Sequence, residues 1–392
     1  MTNLLIAIIY LAFISLGLPD SLLGTAWPVM YGEFGVPVSY AGAVSMLISG
    51  GTIVSSLQSD RLTRRLGTGK VTAISVAMTA AGLFGFSIST SYWMLCLWTI
   101  PYGLGAGSVD AALNNYVALH YASRHMSWLH CMWGLGASIG PYIMGYALSG
   151  GQGWPMGYRY IALLQIGLTA ILIFSLPLWK NRLREGGESG STGKALTLRQ
   201  IFQIPGAREI MAAFLCYCGA ESTTFLWSSS YLVLHRGVAV ERAAGLVALF
   251  YLGMTAGRGI SGFLTIKLSD PQMIRLGICI ALLGAAVLAL PLAFCWPAGL
   301  VLVGLGYAPI YPCIIHSTPT LFGAEHSQAV IGVQMASAYT GSCLMPPVFG
   351  LIAQHITPAL FPVYLFIVLA FMAVMYEKVV KKSLFEKEGK NL

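Results

Sequence analysis

Residues 181–207 read NRLREGGESGSTGKALTLRQIFQIPGA, a polar stretch rich in Gly and Ser with long apolar sequence on both sides. Outward from it, no Asp, Glu, Lys or Arg occurs between Lys70 and Asp110, between Arg275 and Glu325, or between Glu325 and Glu377. A helix needs about 20 apolar residues to cross a bilayer, so each interval holds two spans and a turn. Six spans precede the polar stretch, at about 4–30, 39–59, 69–90, 92–119, 125–151 and 157–180. Six follow, at about 208–234, 243–267, 271–291, 297–320, 326–354 and 357–380. The fold expected is an all-α polytopic membrane protein of twelve transmembrane helices. They form two pseudo-symmetric six-helix bundles, residues 1–180 and 208–380. Residues 181–207 read as a cytoplasmic linker, with a short interfacial helix expected in 196–202, and residues 381–392 as a cytoplasmic tail.

Composition excludes the alternatives. The 392 residues are 56% hydrophobic and 9% charged, with a mean hydropathy of +0.73, whereas a soluble domain carries about 25% charged residues. The runs are continuously apolar instead of alternating, which excludes a β-barrel. Of the 22 Lys and Arg, only Arg159, Arg236 and Arg242 fall in loops on one side, and Arg258 lies inside a span. The remainder crowd the other side, which marks it as cytoplasmic and places both termini there, in a multi-pass protein of the cell membrane. The net charge of +8 is then a topology signal and implies no nucleic acid. The first span lacks a basic n-region and a small-residue cleavage site, so it reads as a retained helix. The eight cysteines sit mostly in apolar segments and read as packing residues.

No Gly-rich loop ends in Lys-Ser/Thr, no His/Cys/Glu cluster has metal-ligand spacing, and the loops are too short for a catalytic domain. The expectation is a monomer that is not an enzyme and has no metal or cofactor. The halves repeat each other. Gly35, Val36 and Val38 recur as Gly237, Val238 and Val240; Ala41-Gly42, Gly50 and Thr52 recur as Ala244-Gly245, Gly253 and Thr255. Duplicated six-plus-six spans are the build of a secondary transporter, whose substrate binds near the midplane between the halves.

Several stretches resemble the major facilitator superfamily and, within it, the fucose:proton symporters. They are Gly17-Leu-Pro-Asp-Ser-Leu-Leu-Gly24 with Trp27-Pro28, Gly105-Ala-Gly-Ser-Val-Asp110 with Asn114-Asn115, and His130 through Gly136 to Pro141. Gly219-Ala-Glu221 with Trp227, Gly257-Arg258 with Gly262, and Ala308-Pro-Ile-Tyr-Pro312 complete the set. The resemblance covers nearly the whole chain. It implies the major facilitator fold, symport of a sugar with a proton, and a conformational latch in the loop after the second span. There the superfamily reads G-x-x-x-D-R-x-G. Aligned on Arg65-Leu66-Gly67, this chain has Asp60 in place of the Gly and Arg64 in place of the Asp, so Asp60, Arg61, Arg64 and Arg65 are assigned to gating. In the fourth span the sugar symporters carry Glu and then Asn-Pro, where this chain has Asp110 and then Asn114-Asn115.

The chemistry also reads from the residues themselves. An ionisable group inside a span is costly and marks function by default, and away from their ends the expected spans hold three acids, Asp20, Asp110 and Glu221. A carboxylate in a dehydrated cavity takes up a proton more readily and releases it once water enters, as proton coupling requires. All three are candidates for that role, the alternative for each being a satisfied structural hydrogen bonder or a partner of Arg258. Asp20, Gly24 and Trp27 at i, i+4 and i+7 would present a carboxylate, a gap and an indole on one helix face, a set suited to a polyol. Asn114 stands one turn after Asp110 and makes a second polar face, with Asn115 about 100° further round. Trp227, Gln334 and Tyr339 complete the candidate substrate-binding residues. His130 near a helix end, with a proton shuttle as its alternative, Pro141 in a small-residue packing face and Arg258 are read as gating or structural.

Two transport readings stay open, symport of a monosaccharide or related polar solute with a proton (or sodium), and proton-driven export of an amphipathic drug or lipid-like compound. A non-transporting membrane sensor is a third, disfavoured by the absence of any sizeable soluble domain.

Overall fold

The computed structural model describes residues 2–20, 22–37, 40–185, 196–238 and 240–390. The first six passes are α1 (Thr2–Gly17) with α2 (Leu22–Phe34), α3 (Tyr40–Leu66), α4 (Thr68–Ser87), α5 (Tyr92–His120), α6 (Ser123–Ser149) and α7 (Gly153–Glu185). After the short α8 (Leu198–Ile201) come α9 (Ala207–Leu234), α10 (Val240–Leu264), α11 (Asp270–Ala289), α12 (Cys295–Phe322), α13 (Ala324–His355) and α14 (Phe361–Lys390). Among the described residues there is no strand. Nine spans among the described residues are long and apolar enough to cross a membrane, α1 and the start of α2 counting as one. The other three passes, α5, α6 and α13, have 29, 27 and 32 residues. They are the helices that carry Asp110, Asn114, His130 and Gln334, so their lower hydropathy records their polar residues.

Three features depart from the expected boundaries. The first span is two helices and not one. α7 runs on to Glu185 and α14 to Lys390, into the stretches expected as linker and tail. Residues 186–195 of the linker and 391–392 of the tail lie outside the described residues. The helix expected in 196–202 is α8, opened by a capping box in which the Gln200 N–H donates to Thr197 Oγ1 and the Thr197 N–H donates to Gln200 Oε1. Single glycines, Gly67 (φ 80°) and Gly323 (φ 85°), join α3 to α4 and α12 to α13. Both sit in a backbone region that residues with a Cβ avoid.

The chain divides into two compact units, residues 1–116 with 129–195, and residues 117–128 with 196–392. Inside each unit the same spans meet at small residues, which let backbones approach closely. In the first, the first and fifth spans touch where Gly136 of α6 lies on the Ile14 carbonyl of α1, and the second and fourth where Gly107 of α5 lies on the Thr52 carbonyl of α3. In the second, Gly341 of α13 lies on the Leu215 carbonyl of α9, and Gly304 of α12 on the Phe250 carbonyl of α10. The seventh and eleventh spans thus pair like the first and fifth, and the eighth and tenth like the second and fourth. The third and fourth spans meet at Gly105 on the Ser75 carbonyl, the ninth and tenth at Gly277 against Gly306. The duplication hinted at by the sequence offsets is therefore present in the packing.

Candidate functional site

In the first unit the site is built on the break between α1 and α2. Pro19 has no N–H to give to the Ser15 carbonyl one turn back. That carbonyl instead accepts from Gln165 Nε2 of α7 at 2.8 Å, and Gln165 Oε1 in turn accepts from Thr79 Oγ1 of α4 at 2.5 Å. The chain crosses the break in tight turns, with the Asp20 N–H on the Gly17 carbonyl (3.2 Å) and the Leu22 N–H on the Pro19 carbonyl (3.1 Å). Asp20 is exposed there, while Leu18 and Leu22 on either side are buried. Its Oδ2 accepts from Trp133 Nε1 of α6 at 2.8 Å. α6 comes this close because Gly17 and Gly136 allow it, Gly17 resting on the Trp133 carbonyl. The Tyr102 hydroxyl of α5 also faces the Asp20 carboxylate, and Asp110 lies near enough for the two acids to feel each other's charge.

Asp110 is half-buried on α5. Asn114 Nδ2 donates to its Oδ1 at 2.7 Å and to its backbone carbonyl at 2.9 Å. The amide nitrogen being so used, Asn114 Oδ1 is left to accept, and it lies 3.1 Å from His130 Nε2. That nitrogen therefore carries the hydrogen. Asn114 is wholly buried and His130 nearly so, its ring edge-on to Phe13 with centroids 5.5 Å apart. A chain of hydrogen bonds thus runs from His130 of α6 through Asn114 to Asp110 of α5.

The second unit treats its acid differently. Glu221 of α9 pairs with Arg258 of α10, Nη2 to Oε1 at 3.3 Å, with side chains 13% and 6% exposed. Tyr217, one turn before Glu221, gives its hydroxyl to the Tyr307 carbonyl (3.1 Å), and the Tyr307 hydroxyl meets Thr224 Oγ1 at 3.4 Å.

Several expected site residues are placed elsewhere. With Asp20 in the break, the single face of Asp20, Gly24 and Trp27 does not form. Trp27 is buried in an apolar core with Phe86, Tyr92, Tyr102, Trp154 and Tyr158, and the indole on Asp20 is that of Trp133. Trp133 was legible only as the residue one turn after His130. Gln334 is wholly buried, its Oε1 accepting from Thr318 Oγ1 at 3.1 Å and its Nε2 without a partner. It stands in helix packing. Trp227 gives its N–H to the Pro346 carbonyl (3.0 Å) and packs edge-on to Phe349, so it ties α9 to α13. Asn115 is buried and Tyr339 half-buried. Near Gly67, Arg64 reaches back one turn to Asp60 at 2.8 Å, whereas Arg61 and Arg65 are exposed. Pro141 lies inside an uninterrupted α6.

A further titratable pair escaped the sequence reading, because Asp270 stood just outside the ninth span. It opens α11, and its Oδ2 lies 2.5 Å from His316 Nδ1 of α12.

Residues 9–346 match the family description Major Facilitator Superfamily. The uncharacterized transporter y4wD of Sinorhizobium fredii is 27% identical over 86% of this chain and 88% of its own. Among solved structures, FucP in its outward conformation superposes with a TM-score of 0.77 at 16% identity, over 94% of this chain and 98% of that one. FucP is the fucose:proton symporter of E. coli. The human organic anion transporter MFSD10 gives a TM-score of 0.73 at 13% identity, over 95% and 98%. At these identities the superpositions establish a shared fold, and it is common to proteins of different substrates.

Proposed function

We propose that this chain, which belongs to the Major Facilitator Superfamily, is a proton-coupled symporter of a monosaccharide or related polar solute, working by alternating access in the cell membrane. The observation that carries this reading is that Asp20 and Asp110 are met by uncharged donors, an indole and an amide. Such donors hold a carboxylate in place without fixing its charge, so the group can change protonation during a transport cycle. Asp110, backed by Asn114 and His130, is the proton carrier. Exposed Asp20 with Trp133 is the solute site, the carboxylate accepting hydroxyl hydrogens and the ring lying against C–H faces. Glu221, held by Arg258, is a fixed ion pair and does not titrate in the cycle.

A proton is favoured over sodium because Asn114 turns its nitrogen to Asp110 and its oxygen to His130, whereas sodium needs oxygen ligands converging on it. Both termini are assigned to the cytoplasm by the Lys and Arg bias, and the working unit to a monomer. The FucP fold adds support, since that protein moves a sugar with a proton.

The test uses purified protein in liposomes loaded with a pH-sensitive dye and challenged with monosaccharides, polyols and amphipathic cations. Internal acidification upon sugar addition, abolished in Asp110→Asn, is the expected result. Silence with every sugar and polyol, together with proton movement driven by a cation, overturns the reading in favour of an amphipath exporter.

A further inference from the structure

We propose that Asp270 and His316 form a second proton-binding site, which latches the connection between α5 and α6 onto α11 and α12 while it is occupied.

The geometry requires the proton. His316 Nε2 lies 2.9 Å from the Tyr121 carbonyl, which only accepts, so Nε2 carries a hydrogen. A neutral imidazole protonated at Nε2 has only a lone pair at Nδ1. An ionised Asp270 likewise has only lone pairs, yet Nδ1 and Oδ2 stand 2.5 Å apart. A proton must lie between them, whichever atom owns it. The pair therefore holds one proton more than a neutral histidine beside an ionised aspartate.

The pair also holds a piece of chain. Asp270 Oδ1 accepts from the Ser123 hydroxyl, while His316 holds the Tyr121 carbonyl. Residues 117–128 group with the second unit, although they join α5 to α6. α10 supports the far end of the segment, with Gly262 and Phe263 against the Trp128 ring. The other titratable or charged groups around the pair are few. Cys313 of α12 has its Sγ 4.0 Å from Ser123 Oγ, and Tyr376 of α14 lies beside Asp270. Arg275 of α11 is engaged by Glu377 of α14 through bonds of 2.6 and 2.9 Å. On the segment itself, His125 sets its ring against those of Tyr121 and Trp128, and Arg124 precedes it. None of these stands between Nδ1 and Oδ2.

Loss of the proton leaves one ring hydrogen for two acceptors. Kept at Nε2 it holds the Tyr121 carbonyl and turns Nδ1 and Oδ2 lone pair to lone pair; moved to Nδ1 it holds Asp270 and turns a lone pair toward the Tyr121 carbonyl, so in either tautomer His316 no longer ties Tyr121 to Asp270. Alkaline conditions release the segment and acid conditions hold it, whatever solute the protein carries.

The test is hydrogen–deuterium exchange on the full chain in lipid nanodiscs between pH 5.5 and 8.5, corrected for intrinsic exchange. Peptides covering 117–128 are expected to exchange about tenfold faster at the alkaline end, the change that loss of one charge-assisted hydrogen bond produces, while peptides from α4 stay level. In Asp270→Asn the amide N–H donates to a neutral His316 at every pH, so the segment stays protected throughout. In His316→Gln the pH response disappears as well. A wild-type profile that is flat, or a rise that survives unchanged in both variants, overturns the proposal. The wild-type profile alone suffices should either variant fail to fold.

Discussion

The first and seventh spans occupy corresponding places in the two units and each carries an acid, but the two acids keep different company. Asp20, and Asp110 beyond it, are met by an indole and an amide, whereas Glu221 is met by a guanidinium. A carboxylate held by a neutral donor can accept a proton and still make a hydrogen bond, so its charge changes at modest cost. Neutralising Glu221 would instead take its counter-charge in this pair away from Arg258, a cation only 6% exposed, which is strongly unfavourable. The two units share one packing scheme, and under the proposed function the partner of each acid decides which copy can move a proton. On this reading the first unit changes charge during transport and the second holds its charge constant.

The largest effect is expected from breaking the fixed pair. Arg258→Met strands Glu221 without a counter-charge, and removing one partner of a buried pair costs about 3–5 kcal/mol. The double variant Arg258→Met/Glu221→Gln carries no charge at this site and should recover most of that loss. Thermal unfolding in detergent, with and without the second substitution, reads the difference. Equal stability of the single variant and the wild type would remove the contrast between the two units.

Next in size is the loss of an indole, compared at two tryptophans. Trp133→Phe removes the N–H that Asp20 accepts, and a hydrogen bond to a charged group is worth about 1.5–3 kcal/mol. A ten- to hundredfold rise in the KM for solute is expected in the liposome assay if that bond orients Asp20 for binding, with expression and folding preserved. Trp27 stands in the apolar core beside Tyr92 and not on Asp20, so the KM of Trp27→Phe should stay within about twofold. A large effect at Trp27 and none at Trp133 would restore the helix face expected from sequence and displace the one built at the break.

That pair of tryptophans also shows where the sequence stops being legible. The twelve passes are readable because each needs a long apolar run, and even the failure of α5, α6 and α13 to look fully apolar comes from the polar residues singled out for the site. Asp20, Asp110 and Asn114 are readable because intramembrane polarity is costly wherever it occurs. The break at Pro19 is not, since proline is tolerated in membrane helices when a neighbour satisfies the freed carbonyl. Here the neighbour is Gln165, 150 residues away. Which tryptophan reaches Asp20 depends in the same way on Gly17 and Gly136 admitting α6 against α1. Asp270 and His316 are 46 residues apart, and nothing local to either sequence names the other. Polar cost identifies the residues, and only packing identifies their partners.

The smallest effect concerns His130, and it sharpens the account of the first unit. His130 gives one hydrogen bond to Asn114, which in turn positions the donor to Asp110. Losing a single such bond costs about 1 kcal/mol, so His130→Leu should slow proton-coupled uptake about fivefold. His130→Gln separates the two roles open to the histidine. A glutamine can donate to Asn114 Oδ1 but cannot titrate, so a positioning residue is rescued by it and a proton shuttle is not. Uptake near the wild-type rate in His130→Gln, with an unchanged pH profile, is expected. If glutamine proves as damaging as leucine, the protons pass through the imidazole itself, and the charge-changing part of the first unit extends from Asp110 into α6.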